Sequence, residues 1–189
     1  MIKNNILITI SHYNKRDQLN LFNLTNKLKK QDADLFIVIN DDSCQNETLG
    51  TFNDIKSLTR PNSGMNIGSW NASYLNNRSY DFYIFLQDEC KIIDDSFLSN
   101  YVNELSKKDV GMTGESINMK WNTTWEAISK SSLNYLVGHD INKKPIYRVQ
   151  YYLHLLKKWS IRPSKTGRHL RSLIWAFNKA TLDKVSAFP

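Results

Sequence analysis

Twice in this sequence an apolar run stops at adjacent carboxylates. Residues 35–39, LFIVI, lead into Asn40-Asp41-Asp42-Ser43, and residues 80–86, YDFYIFL, lead into Gln87-Asp88-Glu89-Cys90. Charge at the end of a hydrophobic strand is costly unless it meets water, a cation or a ligand donor. Carboxylates in such places can accept an N–H from a ligand. They can also share a hard divalent cation with phosphate oxygens.

Both runs require strands covered on two faces, which suits a parallel sheet. A first short strand, ILITI at residues 6–10, ends in Ser11-His12-Tyr13-Asn14. Asp17 is placed to cap a helix reaching about residue 30, with Leu19, Phe22, Leu24 and Leu28 on its apolar face. Strand, helix and second strand make a right-handed βαβ unit. Ligands of open α/β sheets bind beyond the carboxyl ends of the strands, where the acids fall.

Further along, residues 46–58 read as a short helix and residues 60–64 as a loop. A helix opens at Asn66-Ile67-Gly68 and runs to about residue 77; Asn and Gly near a helix start suit phosphate. After the strand at 80–86 come a helix over 93–105, capped by Asp94 or Asp95, and a strand opening at 110–113. Residues 120–140 read as a loop with a short helix. A helix over 148–159, a basic loop over 161–168, a strand over 173–177 and a short helix over 179–185 complete the chain.

The 189 residues suit one domain. A 41% hydrophobic content with five Trp, nine Tyr and eight Phe excludes a disordered chain. Two cysteines form neither a disulfide framework nor a zinc pattern, and no signal peptide or membrane-spanning run is expected; a cytoplasmic setting is the expectation. The net charge of +7 is uneven: residues 143–189 hold eleven Lys and Arg against one acid, Asp183. This basic quarter implies an anionic partner. Tyr151, Tyr152, Leu153, Leu155, Leu156 and Trp159 interleave with Lys157 and Lys158 as in an interfacial helix, so an anionic membrane surface reached through residues 143–171 is one reading and a solvated face the other. No nucleic-acid-binding motif is present.

The order of these motifs resembles a family-2-type glycosyltransferase, a nucleotide-diphospho-sugar transferase of the GT-A fold. Ser11 to Asn14 stand where that family has a Thr/Ser-x-Tyr-Asn turn. DDSCQNET at 41–48 resembles its Asp-Asp-Gly-Ser-x-Asp-x-Thr segment. Asn66-x-Gly68 followed by Asn71 is similar to its Asn-x-Gly segment, and FLQDEC at 85–90 sits at its Asp-x-Asp metal motif. A weaker match is WAFNKATLDKVSAFP at 175–189, similar to a short helix ending in a Gly-Gly-Phe-like turn.

The resemblance implies a GT-A (Rossmann-like) α/β fold in a single domain, a mainly parallel sheet flanked by helices. Residues 1–119 would be the nucleotide-sugar-binding part and 120–189 a basic acceptor or membrane-side part. It implies transfer of a sugar from a UDP- or dTDP-type donor to a saccharide, lipid-linked or protein acceptor, with inversion, in surface polysaccharide, glycolipid or glycoprotein assembly. Asp42 would accept the base N3–H, Tyr13 would flank the base and Ser11 would bond it, with Asp41, Asn66 and Gly68 completing the nucleotide site. Glu89, with Asp88 beside it, would hold Mn²⁺ or Mg²⁺ on the diphosphate. Gln87 replaces the first acid of the metal motif, Ser43 and Cys44 replace the Gly-Ser of the Asp-Asp-Gly-Ser segment, and Arg60 or Arg78 would supply the basic residue missing near Asn66. The family's catalytic base is expected after Pro189, so no base is assigned. The rival readings are a non-catalytic nucleotide-sugar-binding domain and a membrane-associated interaction module.

Other residues have structural readings. Trp70 reads as packing, and His12, His139, His154 and His169 show no metal-ligand spacing. Cys44 and Cys90 read as small turn residues. Glu115, Glu126 and Asp140 are the acids weighed as a substitute base.

Overall fold

Three apolar runs of the first half of the chain, with the more polar residues 55–61, become neighbouring parallel strands. In the computed structural model, which describes residues 5–158 and 160–185, the elements of the sheet unit are β1 (Ile6–Tyr13), α1 (Gln18–Leu28), β2 (Asp34–Asp41), β3 (Thr48–Phe52), β4 (Ile55–Pro61), α2 (Met65–Asn76), β5 (Phe82–Gln87), α3 (Phe97–Leu105) and β6 (Met112–Gly114). A second compact unit, Ser116–Arg171, contains α4 (Trp125–Ser129), β7 (Leu136–His139), β8 (Pro145–Tyr147) and α5 (Arg148–Lys158). The chain then returns to the sheet unit with β9 (Ile174–Asn178) and α6 (Lys179–Val185).

The sheet has seven strands in the order β3-β4-β2-β1-β5-β9-β6. The pairs β1–β2, β1–β5 and β2–β4 are parallel, whereas β3, β9 and β6 join antiparallel. Alternate residues of each strand face opposite helical layers. Ile6, Ile8, Ile10, Ile37, Ile84 and Leu86 share one core with α1 and α3. Leu7, Phe36, Val38, Leu58, Tyr83 and Phe85 share the other with α2 and α6. This is the mostly parallel, helix-flanked α/β sheet expected from the sequence. No helix among the described residues is long and apolar enough to cross a membrane.

Asp17 is the N-cap of α1, accepting from the Leu19 amide at 2.9 Å, as its position predicts. The helix expected at 46–58 is instead the hairpin β3–β4. Asn53 and Asp54 both take positive φ, 47° and 63°, which is the requirement of a two-residue type I′ turn. The cap of α3 is Ser96, with Asp94 two residues earlier accepting from the Ser96 amide and hydroxyl. Trp70 is fully buried against Phe85 and Trp175, so its packing reading holds.

In the second unit Trp121, Ile128 and Val149 form a small core with Trp125, Leu133, Tyr152 and Leu153 packed against it. The Arg148 guanidinium lies 4.8 Å from the Trp121 ring centre, 5.0 Å from that of Tyr135 and 5.3 Å from that of Tyr152. Asp140 caps the β7–β8 turn through the amides of Asn142 and Lys144. The residues expected to make α5 interfacial are partly claimed by this core, Tyr152 and Leu153 above all. Tyr151 stays exposed on α5, and the hairpin adds exposed apolar side chains at Leu136, Val137, Ile141 and Tyr147. Trp159, the last residue of the expected helix, and the turn at Phe188-Pro189 lie outside the described residues.

Candidate functional site

Parallel register aligns the carboxyl ends of β1, β2 and β5. Tyr13 sits opposite Asn40, Ser11 opposite Gln87, and Asp41 opposite Pro61 at the end of β4. Each strand therefore delivers its polar tail to one edge. There a cavity of about 390 Å³ is lined by Ser11, His12, Tyr13, Lys15, Arg16 and Asn40. Asn62, Met65, Asn66, Gln87 and Asp88 close its other side. Its size lies within the roughly 300–1,000 Å³ of small-molecule sites.

The predicted residues take different places around it. Ser11 is buried, and its hydroxyl donates to the Leu86 carbonyl at 3.3 Å. Tyr13 donates from its hydroxyl to Asp42 Oδ2 at 2.5 Å. The same carboxylate accepts from Lys15 Nζ at 2.7 Å and from Asn62 Nδ2 at 3.0 Å. The donors of Lys15, Tyr13 and Asn62 hold the Asp42 carboxyl well below the usual carboxylate range, and Asp42 in turn raises the Lys15 ammonium.

Asp41 does not line the cavity. It caps its own turn, accepting from the Ser43 amide at 2.8 Å and hydroxyl at 2.7 Å, and these bonds lower its pKa. Asn66 lines the cavity and donates to the Ser172 carbonyl at 3.0 Å. Gly68 lies behind the wall: a Cβ there would come 2.1 Å from the Ser63 carbonyl oxygen. It lets the 61–64 loop lie flat on the start of α2.

The second acidic pair is more deeply held. Asp88 is 3% exposed; Oδ2 lies 2.6 Å from His12 Nδ1, and Oδ1 lies 3.3 Å from Arg16 Nη1. The same Arg16 nitrogen reaches Glu89 Oε2 at 3.1 Å. Gln87 donates to the Ser172 carbonyl at 2.5 Å. Asp88 and Glu89 are the residues that could hold a divalent cation, but Asp88 has both oxygens committed to other side chains. Among the described residues no group of three or more His, Cys, Asp and Glu side chains is placed to hold a metal ion. In this arrangement the pair does not fit a metal.

Several cavity residues carry no site role in the sequence analysis, His12, Lys15, Arg16 and Asn62 among them. His12 shows no metal-ligand spacing in the sequence; its partner is the carboxylate that follows the end of β5. Lys15 and Arg16 directly follow the Ser11 to Asn14 turn, and that adjacency was the available signal. Arg60 and Arg78, the expected basic residues, serve elsewhere. Arg60 holds the loop through Asn40 Oδ1 and the Ser63 carbonyl, and Arg78 lies over the Tyr74 ring. Cys44 donates to the Asn46 carbonyl, while burial pushes the Cys90 thiol up to about 11.

No family model matches this chain, and no curated protein matches its sequence. Solved structures do share its fold. One is a mannosyltransferase from Pyrobaculum calidifontis in complex with GDP-Man and Mn²⁺, with a TM-score of 0.56 at 9% identity. The match covers 98% of this chain and 47% of that one, so this chain spans about half the length of that enzyme. Another is a CMP:2-keto-3-deoxy-manno-octonic acid synthetase complexed with CTP, with a TM-score of 0.52 at 10% identity, covering 96% of this chain and 77% of that one. At such identities these likenesses establish a shared GT-A-like fold.

Proposed function

We propose that this chain binds a nucleoside-diphosphate sugar at the carboxyl edge of its sheet and transfers the sugar, with inversion, to a saccharide, lipid-linked or protein acceptor. The observation that carries the reading is the convergence of Ser11, Tyr13, Lys15, Arg16, Asn62 and Asn66 on one cavity beyond β1, β2 and α2. That is where open α/β sheets take nucleotides. The folds shared with a GDP-Man-bound mannosyltransferase and a CTP-bound synthetase support it. A UDP- or dTDP-type donor is the specific expectation: Asp42, now holding Tyr13, Lys15 and Asn62, would exchange one of these for the imide N–H of the base. In the transfer, the acceptor oxygen bonds the sugar carbon and gives up its proton to solvent. The bond to the diphosphate breaks, and its electron pair leaves on the phosphate.

A divalent cation at Asp88 and Glu89 is supported by the Mn²⁺ of the mannosyltransferase complex. The occupied Asp88 carboxylate argues against it. A surface-polysaccharide or lipid-linked setting, at an anionic membrane, would suit the second unit, which holds eleven Lys and Arg against Glu126 and Asp140.

The test is a thermal-shift panel of UDP, dTDP, GDP, CDP and ADP. A ligand at about 100 times its Kd adds about 2.7 kcal/mol, several degrees for a chain of this size. Asp42→Ala should abolish the shift; an unchanged affinity sinks the donor site. A second reading, binding without transfer, is favoured by one observation. Of the acids weighed as a base, Asp140 caps a turn and Glu126 pairs with Lys130. Release of nucleotide from the bound donor in the presence of acceptor separates the two.

A further inference from the structure

We infer that the charge of a bound diphosphate is met in this protein by the Arg16 guanidinium, with Lys15 beside it, and not by a divalent cation on Asp88 and Glu89. The inference rests on the donor-site reading and names what holds the donor's phosphates.

The acidic pair is already engaged from within the chain. One Arg16 nitrogen bridges Asp88 and Glu89 at 3.3 and 3.1 Å. Asp88 has its other oxygen on His12, and both side chains are almost fully buried. To ligate a metal, Asp88 would have to give up Arg16 or the buried His12, and a buried polar group left unpaired is costly. Gln87 brings no charge to the set and spends its amide on Ser172. A metal ion and Arg16 would thus compete for the same oxygens, and Arg16 is tethered among them.

Arg16 is also equipped for the role. Its side chain is 50% exposed and lines the cavity. Both of its carboxylate bonds use Nη1, which leaves the rest of the planar fork to face a ligand. A guanidinium suits phosphate because it offers paired donors in a fixed plane and keeps its charge. Lys15 stands next in the chain, reaching the opposite carboxylate, Asp42. The two cations are thus anchored to acids on two different strand ends and border the same cavity. A second buried group points to a ligand here: His12 lines this cavity, is 2% exposed, and its Nε2 has no hydrogen-bond partner among the described residues. Unpartnered buried nitrogens are rare in folded proteins; with Nδ1 donating to Asp88, Nε2 is an acceptor, and a ligand hydroxyl would supply the missing donor.

The experiment uses the whole chain with the nucleotide panel, run in EDTA and again in Mn²⁺, with the matching nucleosides as controls. The expected result is that the preferred nucleoside diphosphate binds in EDTA about as tightly as in Mn²⁺. Arg16→Gln should weaken the diphosphate by about tenfold or more, the loss of a charge-assisted pair, and leave the nucleoside unchanged. Arg16→Lys, which keeps the charge without the fork, should fall between. Circular dichroism of the variants checks that each is folded. Binding seen only with Mn²⁺, and untouched by Arg16→Gln, overturns the inference while leaving the donor site standing. Equal weakening of nucleoside and diphosphate also overturns it, because it would mark a structural role. No binding of any nucleotide in either buffer overturns the donor-site reading itself.

Discussion

Nδ1 of His12 lies 2.6 Å from Oδ2 of Asp88, across two neighbouring parallel strands, with both side chains almost fully buried. An ionised carboxylate can only accept, so the shared hydrogen sits on the imidazole. This bond holds Asp88 in the lining of the cavity. His12→Ala would leave a buried carboxylate short of a partner, at a cost of about 1–3 kcal/mol. His12→Asn, which keeps a donor, should recover part of the loss. Urea unfolding measures both; equal stability of His12→Ala and the natural chain would show that the pair contributes nothing.

Gly68 owes its place to the Ser63 carbonyl, 2.1 Å from where a Cβ would stand. That atom belongs to backbone and cannot rotate aside. Gly68→Ala should therefore shift the 61–64 loop and destabilise the chain by about 1–3 kcal/mol. Because Asn62 reaches Asp42 from that loop, the substitution should also weaken nucleotide binding. A variant as stable as the parent would mean that the loop moves freely.

Alkaline pH should unfold this protein in a defined window. Tyr74, Tyr80, Tyr83 and Tyr101 are all pushed up to about 12, each chiefly by burial. A raised phenol keeps its proton in the folded chain after the unfolded chain has begun to lose it near pH 10. Its contribution is thus whole below about pH 10 and is lost as pH rises through about 12. Phenolate absorbance should show these four titrating after the other tyrosines. Titration of all nine together near pH 10, with the fold intact, would contradict the prediction.

The exposed hairpin β7–β8 predicts where a membrane would be met. Ile141 is 99% exposed at its turn, with Lys143 and Lys144 beside it. Vesicles rich in anionic lipid should bring the protein down at low salt, and neutral vesicles should not. Ile141→Asp should weaken this, and Lys143→Glu with Lys144→Glu should weaken it further, each basic residue being worth about 1 kcal/mol. Absence of binding at low salt would leave the basic unit a solvated face.

The parallel core was legible in the sequence because buried strands are written as apolar runs. ILITI, LFIVI and FYIFL became β1, β2 and β5, and the acids after them reached the sheet edge. Asp17 as a cap and Trp70 as packing were readable for the same reason: each depends on neighbours along the chain or on gross hydrophobicity. The β3–β4 hairpin was not read. Its strands carry few large apolar residues, and its signal was two residues, Asn53-Asp54, whose left-handed backbone shows only in three dimensions.

The partners of Asp42 and Asp88 were decided by tertiary structure alone. Asp41 and Asp42 are chemically identical neighbours, yet one folds back on Ser43 and the other gathers Tyr13, Lys15 and Asn62. His12 and Asp88 stand 76 residues apart in the chain, and no local pattern links them. Composition and periodicity determine which segments are buried and where charge must emerge, since burial is set by each residue's own transfer free energy. Which charges then meet is set by strand order and register, and those are settled only when the β1–β5 and β1–β2 pairs form.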